Sequence, residues 1–471
     1  MDKPFDIPAD LDTPVSAYLK LGPCRPRFLL ESAEGGERLG RYSFIGFGEA
    51  LEVRLEAGRL LIGPSGGGSD RLPKPDLPAP RDRDALLATL RAALDRAPRP
   101  GPAIPGVLFS GGLVGVAGWD LSRLLDGPAS PAPERLAGPQ ACYLAPRSLL
   151  VFDHLTRRMA LLHDGSEDER AALRREVRRL LSGPLPPARP PGRLEAPRAS
   201  LDRPPFLAAV GKAKEEIASG EVYQLVLSVR FEGACDLPPF EAYRALRLLN
   251  PSPYMYFCDF GDLALVGSSP EALVRLDGRE ASLRPIAGTR RRGASPDADE
   301  ALERELLADP KEAAEHVMLV DLARNDLGRV AVTGSVRVEP YRTVERYSHV
   351  MHLVSGVRGV LAPGADAFDL FASSFPAGTV SGAPKRRALE LIDAIEPCGR
   401  GLYAGTVGYF GHGGSMDQAI AIRTIVFTGG GYAYQAGAGI VADSVPEREH
   451  DEVRAKAGAL EAALRLAEEG L

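Results

Sequence analysis

The first part of the chain carries its apolar residues mostly at the spacing of strands. Residues 27–32, 41–48 and 106–119 are β-rich runs separated by Gly-rich turns, so they predict strands. Helical spacing covers 84–95. No helix signal directly follows the glycines of 111–118, so we interpret them as strand and turn glycines rather than as a nucleotide loop.

The second part alternates strand and helix patterns to its end. Helical spacing covers 205–219, and strand runs include 223–231, 348–357, 402–411 and 418–427. The connections vary in length, and many strands look adjacent and joined by hairpins. The pattern therefore favours an α+β fold, with a large antiparallel β-sandwich core flanked by helices, over a doubly wound parallel sheet.

A Pro-rich segment separates the two parts. Residues 183–204 read GPLPPARPPGRLEAPRASLDRP, which suits neither helix nor strand. We therefore predict a β-rich N-terminal part over 1–182, a linker over 183–204 and a second part over 205–471.

One predicted helix carries a carboxylate within its apolar face. Asp309 is placed as the N-cap, Pro310 at the first helical position and Glu312 at the third, as in a capping box. With a 3.6-residue period, Glu315 then shares an arc with apolar residues such as Leu319. A carboxylate in that place must be paired, protonated or bound to a cation.

A second predicted helix repeats this feature. It opens at Ser444 with a capping box, and its inward face carries Glu449, Glu452, Lys456 and Leu460. Two helix-borne glutamates on inward faces suit a hard, oxygen-ligated ion such as Mg²⁺. The alternative is two solvated helix faces with ordinary charge pairs, and periodicity alone leaves both open.

Composition and charge narrow the classes of partner. The 471 residues are 44% hydrophobic and 25% charged, with a formal net charge of −6, so no general attraction to nucleic acid or to an anionic membrane is indicated. No apolar run is long enough to cross a bilayer, and the first residues lack the apolar core of a secretion signal. The five cysteines are scattered without a Cys-x-x-Cys pair, which is typical of a reducing cytoplasm and argues against structural zinc.

Polar residues interrupt several apolar strand runs of the second part. They are Gln224, His352 and Arg423, and each alone is more often a satisfied core or edge residue than a catalytic one. The turn 437–439 offers backbone N–H groups to an anionic ligand, with Lys456 close behind. As an isolated pattern, that turn equally describes a tight strand exit.

Long motifs follow one another from about residue 205 to the C-terminus. In order they are SGEVYQLVLS, LVGSSPEALVR, PIAGTRRRG, DPKEAAEHVMLVDLARNDLGRV, VMHLVSGV, FPAGTVSGAPK, AIAIRT and AGAGIVADSVPEREHDEVRAK. Together they resemble the chorismate-utilising enzyme family, and so many ordered motifs make coincidence negligible. The resemblance implies the family's antiparallel α+β fold, Mg²⁺ as cofactor and chorismate as substrate.

Two positions indicate a branch of that family. Ala287 stands at the centre of PIAGT, where relatives that make aminodeoxychorismate carry a lysine nucleophile, and Gln224 stands where water-adding relatives carry a lysine base. Neutral ammonia needs neither lysine, because it is already nucleophilic. The resemblance therefore implies conversion of chorismate and ammonia to anthranilate and pyruvate in tryptophan biosynthesis. Synthesis of aminodeoxychorismate or aminodeoxyisochorismate, and a non-catalytic tryptophan- or chorismate-binding protein, stay as alternatives.

The resemblance also assigns roles to individual residues. Glu315 and Glu452 would ligate Mg²⁺, which would hold the ring carboxylate of chorismate. Glu271 would be the general acid for the C4 hydroxyl, and His352 would serve the pyruvate-eliminating half of the reaction. The remaining residues implied around the metal and the substrate are Glu312, Glu449, Thr379, Tyr403, Arg423, Gly437, Gly439 and Lys456.

A looser resemblance covers the N-terminal part. LLESAEGGERLGRYSFIG and NPSPYMYF resemble the two walls of a tryptophan-binding regulatory site, so 1–182 is expected to be regulatory, with tryptophan as feedback inhibitor. The residues implied are Glu31, Ser32, Arg41, Asn250, Pro253, Tyr254 and Met255. The alternative is a pocket that keeps tryptophan for purely structural reasons. Two departures from the family motifs, Arg291 and Val229, touch no proposed ligand residue.

The chain carries no glutaminase signature of its own. None of its cysteines lies in a Gly-x-Cys-x-Gly nucleophile turn. The resemblance then implies that ammonia comes from a separate glutamine amidotransferase subunit (component II), or from free ammonium in vitro. We expect a cytoplasmic hetero-oligomer of the two subunits.

Overall fold

A computed structural model of the protein describes residues 4–32, 40–65, 76–125, 138–187, 192–346 and 350–471. The helices are α1 (Pro14–Lys20), α2 (Arg83–Arg96), α3 (Ser122–Leu125), α4 (Glu167–Leu181), α5 (Arg203–Ala218), α6 (Pro239–Leu249), α7 (Pro296–Ala308), α8 (Pro310–Gly328), α9 (Ala367–Ser374), α10 (Lys385–Ile395) and α11 (Pro446–Glu469). Within the described residues, no helix is both long and apolar enough to cross a membrane.

The strands vary from two-residue bridges to a strand of fifteen residues. They are β1 (Ile7–Pro8), β2 (Pro26–Glu31), β3 (Tyr42–Glu56), β4 (Arg59–Ser65), β5 (Asp76–Pro78), β6 (Gly112–Ala117), β7 (Ala141–Asp153), β8 (Arg158–His163), β9 (Arg198–Ala199), β10 (Gln224–Ala234), β11 (Tyr254–Asp259), β12 (Leu263–Ser269), β13 (Ala272–Asp277), β14 (Glu280–Leu283), β15 (Ile286–Arg291), β16 (Arg337–Val338), β17 (Thr343–Arg346), β18 (Val350–Val354), β19 (Val357–Val360), β20 (Gly382–Ala383), β21 (Thr406–Gly411), β22 (Met416–Ile420), β23 (Thr424–Thr428) and β24 (Gly431–Ile440).

Two long strands, β3 and β7, connect the two branches of the large sheet. Residues 42–47 of β3 pair with 148–153 of β7, and residues 50–55 pair with 141–146. The register shifts between these halves, and a bulge of this kind bends the strand. The pairings along the sheet are antiparallel, so the predicted α+β fold with a large antiparallel core is confirmed.

The two branches contain strands from both parts of the chain. One runs β8–β7–β3–β2–β11–β12–β23–β24–β10, and the other runs β4–β3–β7–β6–β21–β22–β13–β14–β19. The hydrogen-bonded pairs β2–β11 and β6–β21 therefore each join a strand that precedes the segment 183–204 to a strand that follows it. The division of the chain at that segment stays a prediction, while the sheet itself is shared.

A separate three-stranded sheet carries part of the functional residues. Strand β18 lies in its middle, between β15 and β17, and α8 packs against β15. On the large sheet, α5, α6 and α11 pack against β10, β12 and β24 and bury apolar residues such as Leu246, Val453 and Leu460. The helix with Glu315 thus belongs to the small sheet, and the helix with Glu452 belongs to the large one.

The predicted strand over 418–427 is two strands. Strand β22 ends at Ile420 and β23 begins at Thr424, and between them Arg423 adopts a left-handed backbone with φ of 49°. The prediction of one strand was wrong because apolar alternation does not report such a turn. The strands predicted at 223–231 and 402–411, and the helices at 84–95 and 205–219, are present with shifted ends. The Gly-rich tract 63–70 predicts a loop from its sequence. Its residues 63–65 instead lie in β4, and residues 66–70 lie outside the described residues.

Gly408→Ala is expected to destabilise the sheet. Gly408 of β21 pairs with Gly115 of β6, and a Cβ on Gly408 would lie 2.0 Å from the carbonyl oxygen of Asp417. The strands would have to separate, and overpacking of this kind lowers the free energy of unfolding by about 1–3 kcal/mol. Urea unfolding measures the loss. Gly413→Ala is the control, because a Cβ there meets no atom within 4 Å; an equal loss in both variants would contradict the packing argument.

Candidate active site

Glu271 and Thr379 form the centre of the candidate active site. Glu271 follows β12, and its carbonyl accepts a hydrogen bond from the amide of Ile420 at 3.0 Å. Thr379 lies in the short 3₁₀ turn Gly378–Val380, and its hydroxyl donates to Glu271 Oε1 at 3.0 Å. Both residues line a small cleft, with a volume of about 40 Å³, that α8 also lines through residues such as Leu319. The first bond therefore fixes the backbone of Glu271, and the second fixes its carboxyl.

The Glu271 carboxyl titrates near neutrality. Burial raises its pKa to about 7, although the hydrogen bond from Thr379 and the charges of Lys456 and Arg423 lower it. At neutral pH about half of the molecules then carry the proton, in equilibrium with the carboxylate. Such a group suits the donation of a proton to a leaving group, as the general-acid prediction requires.

Arg423 lies close to two titrating groups. Its charge lowers the pKa of Glu271 and also that of His352, and its carbonyl accepts from the amide of Ser268 at 3.1 Å. The left-handed turn between β22 and β23 holds it there. Strained backbone at a non-glycine residue is concentrated at functional sites. The turn that broke the predicted strand therefore places a cation beside the acid and the imidazole.

His352 occupies the middle strand of the small sheet. Its Nδ1 lies 3.0 Å from the carbonyl oxygen of Gly288 and 3.1 Å from the hydroxyl of Thr289. A carbonyl only accepts, so we assign the ring hydrogen to Nδ1 and basicity to Nε2. Burial lowers the pKa of His352, and the bond to Gly288 raises it. The neutral imidazole is favoured as a result.

Two glycines at the end of β24 let polar side chains come close to the backbone. A Cβ on Gly437 would lie 2.9 Å from Tyr403 Oη, and a Cβ on Gly439 would lie 2.6 Å from Gln224 Nε2. Lys456 of α11 donates to the carbonyl oxygen of Gly437 at 3.0 Å. Gln224 Oε1 is buried and has no hydrogen-bond partner among the described residues. The structure thus brings these five predicted residues together and leaves a buried acceptor for a ligand to satisfy.

The starts of the two acidic helices differ from the prediction. Helix α8 has Asp309 as its N-cap, but the side chain of Glu312 pairs with Arg290 at 3.3 Å instead of completing a capping box. Helix α11 has Val445 as its N-cap, without a side-chain hydrogen bond, so the capping box predicted at Ser444 is wrong. Tertiary pairing, which a motif cannot report, decides the first case. In the second case the Ser444 hydroxyl accepts a hydrogen bond from the amide of Val441 at 3.1 Å.

The acidic residues of α8 and α11 come close enough to interact. Burial raises the pKa of Glu315, and the charges of Glu312 and Glu452 raise it further. Burial also raises the pKa of Glu449, and Glu452 adds to that effect. The predicted inward faces hold only in part: Glu315 is partly buried, whereas Glu452 is 48% exposed and pairs with Lys456 at 2.7 Å.

This cluster has the donor chemistry of a magnesium site. Neighbouring carboxylates raise one another's pKa, and a divalent cation among them reverses that effect. Mg²⁺ takes one or two protein carboxylates and keeps other positions for water and substrate oxygens, which fits Glu315 and Glu452. Across the described residues, no group of three or more His, Cys, Asp or Glu side chains is arranged to hold a metal ion. Two carboxylates would therefore need substrate or water oxygens to complete the coordination.

Glu31, predicted to bind tryptophan, is already engaged by the protein. It accepts hydrogen bonds from the hydroxyl of Tyr243 at 2.6 Å and from the guanidinium of Arg247. Arg41 pairs with Asp153 at 3.2 Å. The bonds to Glu31 fix the polar end of β2, and the Arg41 pair joins the start of β3 to the end of β7.

Other residues of the predicted tryptophan site have spare hydrogen-bonding capacity. The hydroxyl of Ser32 and Nδ2 of Asn250 are buried and have no hydrogen-bond partner among the described residues. Met255 of β11 pairs with Glu31 of β2, so the two predicted walls lie side by side. A buried unpaired donor costs stability until a ligand or water satisfies it.

Three polar residues of this region were missed in the sequence. Tyr243 and Arg247 stand four residues apart on α6, a spacing that places them on one face. Asp417 lies in β22 and accepts a hydrogen bond from the hydroxyl of Tyr254 at 3.0 Å. Tyr254 directly follows Pro253, so this bond belongs to the same region. Burial raises the pKa of Asp417. A lone acidic residue within the apolar run of β22 was the available signal.

Comparison with known proteins identifies the family. The profile of the family described as chorismate binding enzyme matches residues 25–462, so the chain belongs to that family. Its curated relatives include anthranilate synthase component 1 of Thermus thermophilus, 46% identical over 98% of this chain and 97% of the relative. The protein of the same name from Pseudomonas aeruginosa is 43% identical over 99% and 96%. Among solved structures, anthranilate synthase component I from Streptococcus pneumoniae matches with a TM-score of 0.77 and 33% identity, over 98% of this chain and 100% of that one.

Glu271→Gln is expected to stabilise the folded protein at alkaline pH. The folded pKa of about 7 lies above the ordinary value of 4.5, so the native carboxylate begins to cost stability as the pH rises above 4.5. The cost is complete above the folded pKa, and a neutral amide avoids it. Urea unfolding on both sides of this range should show a stability gain for the variant only on the alkaline side. Equal stability of both proteins there would contradict the assignment.

Proposed function

We propose that this chain is the chorismate-converting component of an anthranilate synthase, a lyase that joins ammonia to chorismate and releases pyruvate and water. The observation that carries the proposal is the carboxyl of Glu271, held by Thr379 beside the charges of Arg423 and Lys456 and titrating near neutrality. The relatives named above, which are more than 40% identical over nearly the whole chain, support the choice of this branch.

The substrate is a dianion, so each of its carboxylates needs its own donors. Arg423 and Lys456 supply positive charge on one side of the site, and the close-packed backbone at Gly437 and Gly439 lies beside Tyr403 and Gln224. Gln224 contributes an amide rather than an amine. Without a basic amine in that place, the site favours ammonia over activated water as the nucleophile.

Proton transfer by two residues completes the reaction. Ammonia adds at C2 of the ring while the C4 hydroxyl leaves, and Glu271 gives that hydroxyl the proton with which it departs as water. The added ammonium group then gives a proton to the Glu271 carboxylate, which restores the acid. His352, neutral and basic at Nε2, then takes the C2 proton as the bond between C3 and the enolpyruvyl oxygen breaks. The released enolpyruvate takes up a proton to become pyruvate, and the ring becomes aromatic.

We infer that Mg²⁺ is the cofactor. Glu315 and Glu452 would hold it, with Glu312 and Glu449 beside them. When bound, it supplies positive charge for the ring carboxylate. The mutual rise of the carboxylate pKa values on α8 and α11 supports this inference, because that charge crowding is what a cation relieves.

We also infer that ammonia comes from a glutamine amidotransferase subunit. The name component 1 of the relatives implies a second component. Since no cysteine of this chain lies in a nucleophile turn, glutamine alone should not support turnover by the isolated chain, whereas ammonium salts should.

Identification of the product tests the proposal. The pure chain is incubated with chorismate, Mg²⁺ and ammonium, and the product is separated and identified. We expect anthranilate, recognised by its fluorescence, together with an equal amount of pyruvate. A para-amino or non-aromatic amino product would instead assign the chain to another branch of the family, and unchanged chorismate would refute the enzymatic proposal.

Glu452→Gln is expected to abolish turnover. Loss of one carboxylate weakens the proposed ion site. Mutation of a residue that only supports a metal ligand lowers metal affinity or activity by about 10–100-fold, so loss of a ligand itself should lower the rate by more than about 100-fold. Steady-state rates over a range of Mg²⁺ concentrations measure the effect. Glu461→Gln is the matched control, because Glu461 lies on the same helix and pairs with Arg465 at 2.5 Å. An undiminished rate in Glu452→Gln would overturn the metal assignment.

We propose that tryptophan inhibits this chain at the predicted regulatory site. The unpartnered Ser32 hydroxyl and Asn250 amide can bind the polar end of an amino acid. The buried carboxylate of Glu31 and the partly buried carboxylate of Asp417 lie in the same region and suit an ammonium group. The two walls, β2 and β11, are hydrogen-bonded neighbours, so one ligand reaches both.

Ser32→Ala is expected to relieve inhibition without lowering the uninhibited rate. One lost hydrogen bond corresponds to about 1–1.5 kcal/mol, so the tryptophan concentration for half inhibition should rise by about tenfold. Initial rates at increasing tryptophan measure it. Ser219→Ala, at the exposed end of α5, serves as control. Unchanged inhibition in Ser32→Ala would remove this residue from the site.

A further inference from the structure

Arg400 is a buried cation with an unusually complete set of partners. Only 1% of its side chain is exposed, and it forms a bidentate ion pair with Glu396 at 2.7 and 2.9 Å. It also donates to the carbonyl oxygens of Val380 at 2.7 Å and Val226 at 2.8 Å. The guanidinium therefore joins the 3₁₀ turn and β10 to the segment that follows α10.

The partner carboxylate extends the network to a further strand. Glu396 Oε1 accepts from both the amide and the hydroxyl of Ser228, each at 2.8 Å. The hydroxyl of Ser228 in turn accepts from Gln435 Nε2 at 2.8 Å. Gln435 stands two residues before Gly437 on β24, so the network ends beside Gly437 and Gly439, which together form the glycine floor of the candidate active site.

Aromatic rings cover the guanidinium. Its carbon lies 4.3 Å from the centre of the Trp119 ring and 5.7 Å from that of Tyr403. The amide of Trp119 donates to the carbonyl oxygen of Gly401 at 2.8 Å. Trp119, from the N-terminal part of the chain, thus covers one face of the guanidinium, and the burial of the ion pair strengthens the charge-assisted bonds within it.

We propose that Arg400 and Glu396 form a positioning pair for the active site, a role that rests on the proposed function. Stability alone does not explain such a pair, because a buried ion pair replaced by well-packed apolar residues is often no less stable. Alignment explains it, since the segments that the pair joins each carry a site residue within three positions. Those site residues are Gln224 near Val226, Thr379 before Val380, Tyr403 after Arg400 and Gly437 after Gln435.

Arg400→Lys tests the pair while keeping the buried charge. A single ammonium cannot reach both Glu396 oxygens and two carbonyl oxygens at once. Because Thr379 then holds Glu271 less tightly, kcat should fall by about tenfold or more, as small misplacements of reacting groups do. KM should rise as well, because Tyr403 and Gly437, which are predicted substrate-binding residues, stand on segments that the pair joins.

The pH profile separates positioning from general damage. The Thr379 hydroxyl lowers the pKa of Glu271, as do the charges of Lys456 and Arg423. Weakening only the hydrogen bond from the Thr379 hydroxyl raises the pKa of Glu271. The pH above which kcat falls should therefore be higher in Arg400→Lys, which moves the alkaline limb of the pH profile. An unshifted limb with an unchanged kcat would overturn the positioning pair.

Arg54→Lys is the matched control. Arg54 is also buried and bidentate, with Asp262 at 2.6 and 2.8 Å, and its ion pairs among the described residues are with Glu52, Glu56 and Asp262, which are not site residues. The Arg54→Lys variant should lose a comparable amount of stability, and its kcat and the alkaline limb of its pH profile should stay unchanged. Equal kinetic changes in the two variants would overturn the proposal.

Two further measurements keep the test decisive. Trp119 is the only tryptophan of the chain, so its emission should change in Arg400→Lys and not in Arg54→Lys. If Arg400→Lys does not fold, Ser228→Ala removes one hydroxyl from the network and should shift the limb in the same direction; no shift overturns the pair. A wild-type chain without product would refute the proposed function, whereas an active wild type with an unaltered Arg400→Lys refutes only the pair.

Discussion

Charge crowding in a half-buried site is the constraint on which the rest of the structure depends. Glu271, Glu315 and Glu449 are all partly removed from water, and burial raises the pKa of each. Lys456 is the cation common to all three, because its charge lowers the pKa of each of them. It also pairs with Glu452 and donates to Gly437, so one side chain of α11 links the acid, the carboxylate cluster and the glycine floor. Substrate anions and a divalent cation would redistribute this balance rather than create it.

Patterns in the sequence predicted the fold class and most of the residues that the site brings together. Helix periodicity found the acidic faces of α8 and α11, and ordered motifs pointed to Glu271, Thr379 and Arg423. Periodicity could not report that Arg423 leaves the strand at a φ of 49°, since that depends on the backbone turn between β22 and β23. It also placed Glu452 on an inward face, although the side chain stays half exposed beside Lys456.

The Arg400–Glu396 pair could not be predicted for a different reason. Its two residues stand four apart at the end of a helix, which in a sequence describes an ordinary surface ion pair. Only the packing of Trp119 from the N-terminal part shows that the pair is buried. The composition of the Pro-rich segment 183–204 suggests a boundary, but the strands before and after it share one sheet. Strand β6, for example, pairs with β21, and Trp119, which follows β6, packs on Arg400 beside the site.

Strand β12 connects the two polar regions by a very short piece of backbone. Ser268 donates through its hydroxyl to the carbonyl oxygen of Asn250, and Ser269 donates to that of Ile420 at 2.7 Å, two residues before Glu271. Residues 268–271 are four consecutive residues, so a shift of the backbone at Ser268 would be carried to Glu271 over one short stretch. Substitutions in this stretch would therefore reach both polar regions at once, whereas the end of β2 lies outside this backbone connection.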